Sequence, residues 1–178
     1  MTRPFDYSQD FNNIDFRRES ERYQIGKGEQ GVLSVKPYKS EILPYWKFKN
    51  PDVALQSAKK IFSLFKSYKK ANDLVGMDMA RKFLQMGYTR SRRYANHKSG
   101  CKYSNVDKSV ITEIPPTPNY KTQANRDHNE KSRRKIVLTL DPDLEKAKSA
   151  EIFYGYYQKV KNDTTYSKQK ELHKAQYG

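Results

Sequence analysis

A single cysteine, Cys101, in 178 residues cannot form an internal disulfide, and a lone thiol suits a reducing cytoplasm. Long apolar runs are missing too. No stretch approaches the roughly 18 consecutive apolar residues that a membrane helix needs, so no span and no membrane partner are expected. Met1-Thr2-Arg3-Pro4-Phe5-Asp6 has no apolar run behind its one basic residue, so no secretory leader is expected. Apolar residues make up 35% of the chain, against about 45–50% in ordinary domains, a range that also counts glycine. Acids are short relative to bases, 20 Asp+Glu against 35 Lys+Arg, and the net charge is +15. The length suits one domain with appendages and is too short for a two-domain catalytic machine.

Aromatic residues compensate for the thin apolar content. Fourteen Tyr, 8 Phe and 1 Trp can each bury a large area, so a core is expected, though not from every segment. Residues 1–50 read as extended, aromatic segments that wrap a helical core, with a polar helical turn at Arg17–Tyr23. Gly31–Pro37, with its β-branched valines and closing proline, predicts a short strand and allows a β-hairpin. Asn50-Pro51, a cap followed by proline, opens a helix whose Ala54, Leu55, Ala58, Ile61, Phe62, Phe65 and Tyr68 step by three and four. A second helix is predicted from Asp73 to Met86, ending at Gly87, and a short third one at 89–97, capped by Thr89. Its apolar residues cover more than one face, which places the Asp73–Met86 helix centrally in the fold. Residues 101–135 read as a flexible basic loop around Pro115-Pro116-Thr117-Pro118. Within 136–178, Ile136–Leu140 reads as a strand, followed by helices opening at Asp141-Pro142 and at Asp163. The expected fold class is therefore mainly α, a single small helical domain over 1–178 with its core helices and basic segment at 51–100.

The positive charge is uneven. Residues 81–108 hold eight bases against the single Asp107, and 121–135 hold six against two, while the rest of the chain is nearer balance. Clustered charge of one sign repels itself unless solvent or a partner offsets it. On a helix, Arg90, Arg93, Tyr94 and His97 would share a face, combining guanidinium forks that match phosphate with a ring on which a base can stack. Arg92, Lys98 and Lys102 extend this set, and Arg133, Arg134 and Lys135 form an auxiliary arm. These ten residues are the candidate nucleic-acid contacts. DNA and RNA are not distinguished by them.

Other chemistry finds less support. Gly26-Lys27-Gly28-Glu29-Gln30-Gly31 matches G-x-G-x-x-G, but a dinucleotide site needs a helix after the glycines and a kinase loop needs further motifs that are missing. The segment reads better as a glycine turn. His97, Cys101, His128 and His173 lack the paired spacing of a zinc site, and Cys101 near His97 has no signature of a catalytic thiol. Asp73 and Asp78 read as a helix cap and a surface residue. No cofactor, metal or catalytic constellation is expected, and a binding protein is favoured over an enzyme.

The strings Gly26–Leu33, Pro37–Pro44, Gly76–Gly87, Thr89–Gly100 and Asp141–Ala147 resemble the family called domain of unknown function 4385. That family occurs in bacteria, fungi and bacteriophages, including those of cyanobacteria. The resemblance implies no activity and no catalytic residues; a viral origin would place the chain in a host cytoplasm. The leading expectation is a basic protein that binds nucleic acid mainly through backbone phosphates. One alternative is an effector that docks its basic face on an acidic host or viral protein. Another is a small enzyme or ligand-binding protein for a phosphate-containing substrate.

Overall fold

Among the residues that the computed structural model describes, 5–97 and 143–177, the chain forms five α-helices and no β-strand. They are α1 (Tyr38–Ile42), α2 (Pro51–Lys70), α3 (Leu74–Asn96), α4 (Leu144–Lys161) and α5 (Thr164–Tyr177). Short 3-10 turns occupy Ser20–Arg22 and Leu43–Tyr45. Met1–Arg92 and Leu144–Gly178 make one compact unit, and Arg93–Asp143 a second.

Local chemistry sets the helix starts of the first unit. The Asn50 side chain accepts the Val53 amide at 2.9 Å, and Pro51 occupies the first helical position, where its missing N–H is not needed. Asp73 accepts the Gly76 amide at 2.9 Å and so caps α3. Asp163 accepts the Tyr166 amide at 3.0 Å, capping α5, while its other oxygen takes Lys69 of α2 at 2.6 Å. Along α2 the stripe Ala54, Ala58, Ile61, Phe65 and Tyr68 is buried, and Lys59, Lys60, Lys66 and Lys70 are exposed. Each large apolar side chain of that stripe contributes roughly 1.5–3 kcal/mol by leaving water. The α2 stripe packs on α4, where Phe153 and Val160 are fully buried.

α3 lies at the centre of this unit. Every residue from Val75 to Leu84 is buried, as in a helix enclosed on all sides. The helix does not stop at Gly87. A Cβ there would lie 2.4 Å from a ring carbon of Phe153, so the glycine is a notch that lets α4 approach, and the i to i−4 bonding runs on to Asn96. The separate helix expected at 89–97 is thus the end of α3, and Thr89 is no cap. Its single hydroxyl proton is shared between Glu29 at 2.5 Å and the Met86 carbonyl at 3.2 Å.

The N-terminal segment contains turns where a strand was expected. The Ser34 and Val35 amides donate to the Gly31 carbonyl at 3.0 and 3.2 Å. Val32 and Val35, three apart, are buried, and Leu33 between them is 46% exposed. That spacing fits a tight turn, whereas a strand would bury alternate residues. The predicted hairpin is therefore absent from Gly31–Pro37. The rings of Phe5, Phe11, Phe16 and Tyr23 follow one another at centroid distances of 6.0, 5.7 and 6.1 Å. Arg17 holds Glu41 with two 2.8 Å bonds, and Tyr38 donates to the cap residue Asp73 at 2.8 Å.

The second unit is described at 93–97 and 143, where the Asp143 amide donates to the Ala95 carbonyl at 2.8 Å. The predicted strand at Ile136–Leu140, the Asp141-Pro142 helix opening and the 101–135 loop lie outside the described residues.

The notch makes a stability prediction. Gly87→Ala should destabilise the protein by about 1–3 kcal/mol, because the added methyl forces Phe153 out of its packed position. Urea denaturation followed by circular dichroism reads the change. An unaltered midpoint would show that the ring yields freely.

Candidate functional site

The charged residues that the sequence groups into one basic block separate into two environments. Arg81 and Lys82 point inward from α3 and are 6% and 0% exposed. Arg90, Arg92 and Arg93 are exposed on its last turns, and none of them has an ion pair among the described residues. Tyr94 is 37% exposed. His97 is not on that surface: it is 7% exposed, and its Nδ1 has no hydrogen-bond partner among the described residues. The face read from helical spacing therefore loses its last member to burial. Lys98, Lys102, Arg133, Arg134 and Lys135 lie outside the described residues.

The inward-facing group is built around Asp78, which the sequence suggests is a surface residue and which is in fact fully buried. An isolated carboxylate there would be very costly, and it persists because donors surround it. Arg81 Nε donates to Oδ1 at 2.8 Å and the Tyr166 hydroxyl to the same oxygen at 2.6 Å. Lys82 Nζ lies 3.4 Å from Oδ2, which also accepts the Tyr23 hydroxyl. Burial by itself would raise the Asp78 pKa. The Arg81 and Lys82 charges and the two hydroxyls outweigh burial and hold the carboxyl well below its usual range. Burial, followed by the Asp78 charge, pushes Tyr23 and Tyr166 up. Burial also lowers Lys82, with the attraction of Asp78 opposing it.

The same cations hold the glycine turn. Arg81 donates to the Gly28 carbonyl at 3.2 Å and to Gln85 Oε1 at 2.8 Å, and Lys82 donates to the Gln30 carbonyl at 2.6 Å. Gly28 and Gly31 have φ of +61° and +79°, left-handed values that favour glycine, so the G-x-G-x-x-G spacing here serves a turn. Turns follow it, with no helix to receive a pyrophosphate, which removes the dinucleotide reading for the segment. Between this turn, α3 and α5 lies a cavity of about 790 Å³. Its charged lining residues are Lys27, Arg81, Lys170 and Lys174, and no carboxylate lines it.

This cavity and its floor were missed in the sequence, although a signal was there. Asp78, Arg81 and Lys82 sit at i, i+3 and i+4 inside an otherwise apolar helix, which is the spacing of an interior ion cluster. Among the described residues no group of three or more His, Cys, Asp or Glu is placed to hold a metal ion. None of the described helices is long and apolar enough to cross a membrane.

The Asp78 cluster carries a pH signature. Its carboxyl is depressed in the folded state, so its contribution is complete above the unfolded carboxylate pKa of about 3.9 and is lost as pH falls below that value. Asp78→Asn should lower stability by about 3–5 kcal/mol at neutral pH, since it leaves two buried cations unneutralised. It should also flatten the loss of stability below pH about 4 relative to wild type. Urea midpoints at a series of pH values check both effects, and parallel wild-type and variant acid limbs would contradict the assignment.

No curated protein and no solved structure matches the chain. A family model described as Domain of unknown function (DUF4385) matches residues 6–176, nearly the whole length read above, and the chain belongs to that family.

Proposed function

We propose that the protein binds nucleic acid, and that the exposed C-terminal turns of α3 make phosphate contacts. The observation that carries this reading is the state of Arg90, Arg92 and Arg93. All three are exposed, they fall within four positions of one helix, and no described acid pairs with them. Arginines that are neither buried nor neutralised keep their full charge for a partner, and the guanidinium fork matches phosphate geometry. The contrast with Lys82 supports the choice, because that side chain is fully buried beside Asp78.

Contacts of this kind release counterions, so affinity should fall steeply with salt. Fluorescence anisotropy with single- and double-stranded DNA and RNA, at two salt concentrations, measures this. The triple variant Arg90→Ala, Arg92→Ala, Arg93→Ala should bind at least about tenfold more weakly at low salt. Its salt slope should be shallower by roughly 2–3, near one per lost phosphate contact. An absence of binding to all four nucleic acids at low salt, or an unchanged triple variant, would refute the proposal.

A further inference from the structure

The cavity beside the glycine turn lies wholly in the first unit and contains none of the exposed arginines. Four cationic side chains converge on it from three elements. Lys27 comes from the turn, Arg81 from α3, and Lys170 and Lys174 from successive turns of α5. No acid on the lining offsets them. Lys174 pairs with the exposed Glu171 at 3.2 Å, a surface contact of small energy, and Lys27 and Lys170 have no ion pair among the described residues. Lys170 is held below its usual pKa, first by burial and then by the nearby Arg81 and Lys174 charges. Like charges held this close repel one another, and an anion among them would relieve the repulsion.

The floor is tied by hydrogen bonds and still has donors to give. Asp78, Gln85 and the Gly28 carbonyl fix the Arg81 guanidinium while part of its fork remains unused. Gln85 gives its carbonyl oxygen to Arg81, and its amide nitrogen has no hydrogen-bond partner among the described residues. The remaining wall is apolar and aromatic, from Phe5, Ile25 and Tyr157. A volume of about 790 Å³ far exceeds a bare phosphate ion and falls in the range of small-molecule sites.

We propose that this cavity binds a phosphate monoester, with the phosphate held by Arg81, Lys170, Lys174 and Lys27 and the organic part resting on Phe5, Ile25 and Tyr157. The proposal goes beyond the surface reading and does not depend on it. The phosphate could belong to a free nucleotide-sized molecule or to the phosphorylated end of a strand, and both present the same dianion.

Titration calorimetry on the full chain separates these sources. The probes are inorganic phosphate, adenosine 5′-monophosphate, adenosine, and one short oligonucleotide with and without a 5′-phosphate. Binding of the monophosphate but not of adenosine is the expected result, with inorganic phosphate weaker than the monophosphate. An oligonucleotide whose phosphorylated form binds more than about tenfold better than its 5′-hydroxyl form would support the proposal and identify a strand end as the source. The double variant Lys170→Gln, Lys174→Gln should reduce phosphate-dependent binding at least tenfold while leaving the thermal midpoint unchanged. It should leave salt-dependent duplex binding within about twofold, whereas the Arg90, Arg92, Arg93 triple variant should show the reverse pattern. Should no phosphorylated probe bind better than its unphosphorylated counterpart, or should the lysine variant bind as wild type does, the proposal is overturned.

Discussion

The first unit depends on one buried carboxylate. Asp78 receives Tyr23 from 55 positions upstream and Tyr166 from 88 positions downstream, together with Arg81 and Lys82 of its own helix. Hydrophobic burial would allow the N-terminal turns and α5 to settle on α3 in more than one way, because apolar contact is non-directional. A carboxylate with fixed lone-pair directions and no access to water does not. It accepts these donors in one arrangement, and any slip leaves charges buried without partners. Specificity is the contribution of such a cluster, more than net stability.

The glycine turn is subordinate to that arrangement. Its Gly28 and Gln30 carbonyls are acceptors for the Arg81 and Lys82 donors that Asp78 leaves over. Cations that would be orphaned by burial thus obtain both a counter-charge and neutral partners, and the turn obtains a defined position over the cavity. The charge at this place is net positive because two bases and one acid share the interior, and Lys170 and Lys174 add to it from α5. One group of residues both fixes the packing of three segments and sets the electrostatic character of the space they enclose.

What was legible in the sequence was local. Asn50-Pro51, Asp73 and Asp163 act through their own backbone neighbours, so their capping roles could be read from three or four residues, as could the stripe of α2. What failed was decided by partners distant in the chain. Gly87 has the signature of a helix end, and only the Phe153 ring from α4 shows why the helix continues. Val32 and Val35 have strand propensity, but no partner strand is present among the described residues, and the pair packs at a turn's spacing. The surplus charge of 81–108 read as one surface because composition records how many bases there are and not which way they face. Arg81 and Lys82 face the interior; Arg90, Arg92 and Arg93 face water.

The continuity of α3 through Gly87 has a geometric consequence. With about 1.5 Å of rise and about 100° of rotation per residue, Arg92 stands roughly 16 Å along the axis from Arg81 and only about 20° around it. The cavity floor and an exposed guanidinium are thus two marks on one rigid ruler, on nearly the same edge. A break at Gly87 would have left the two free to swivel. The uninterrupted rod fixes both their spacing and their phase.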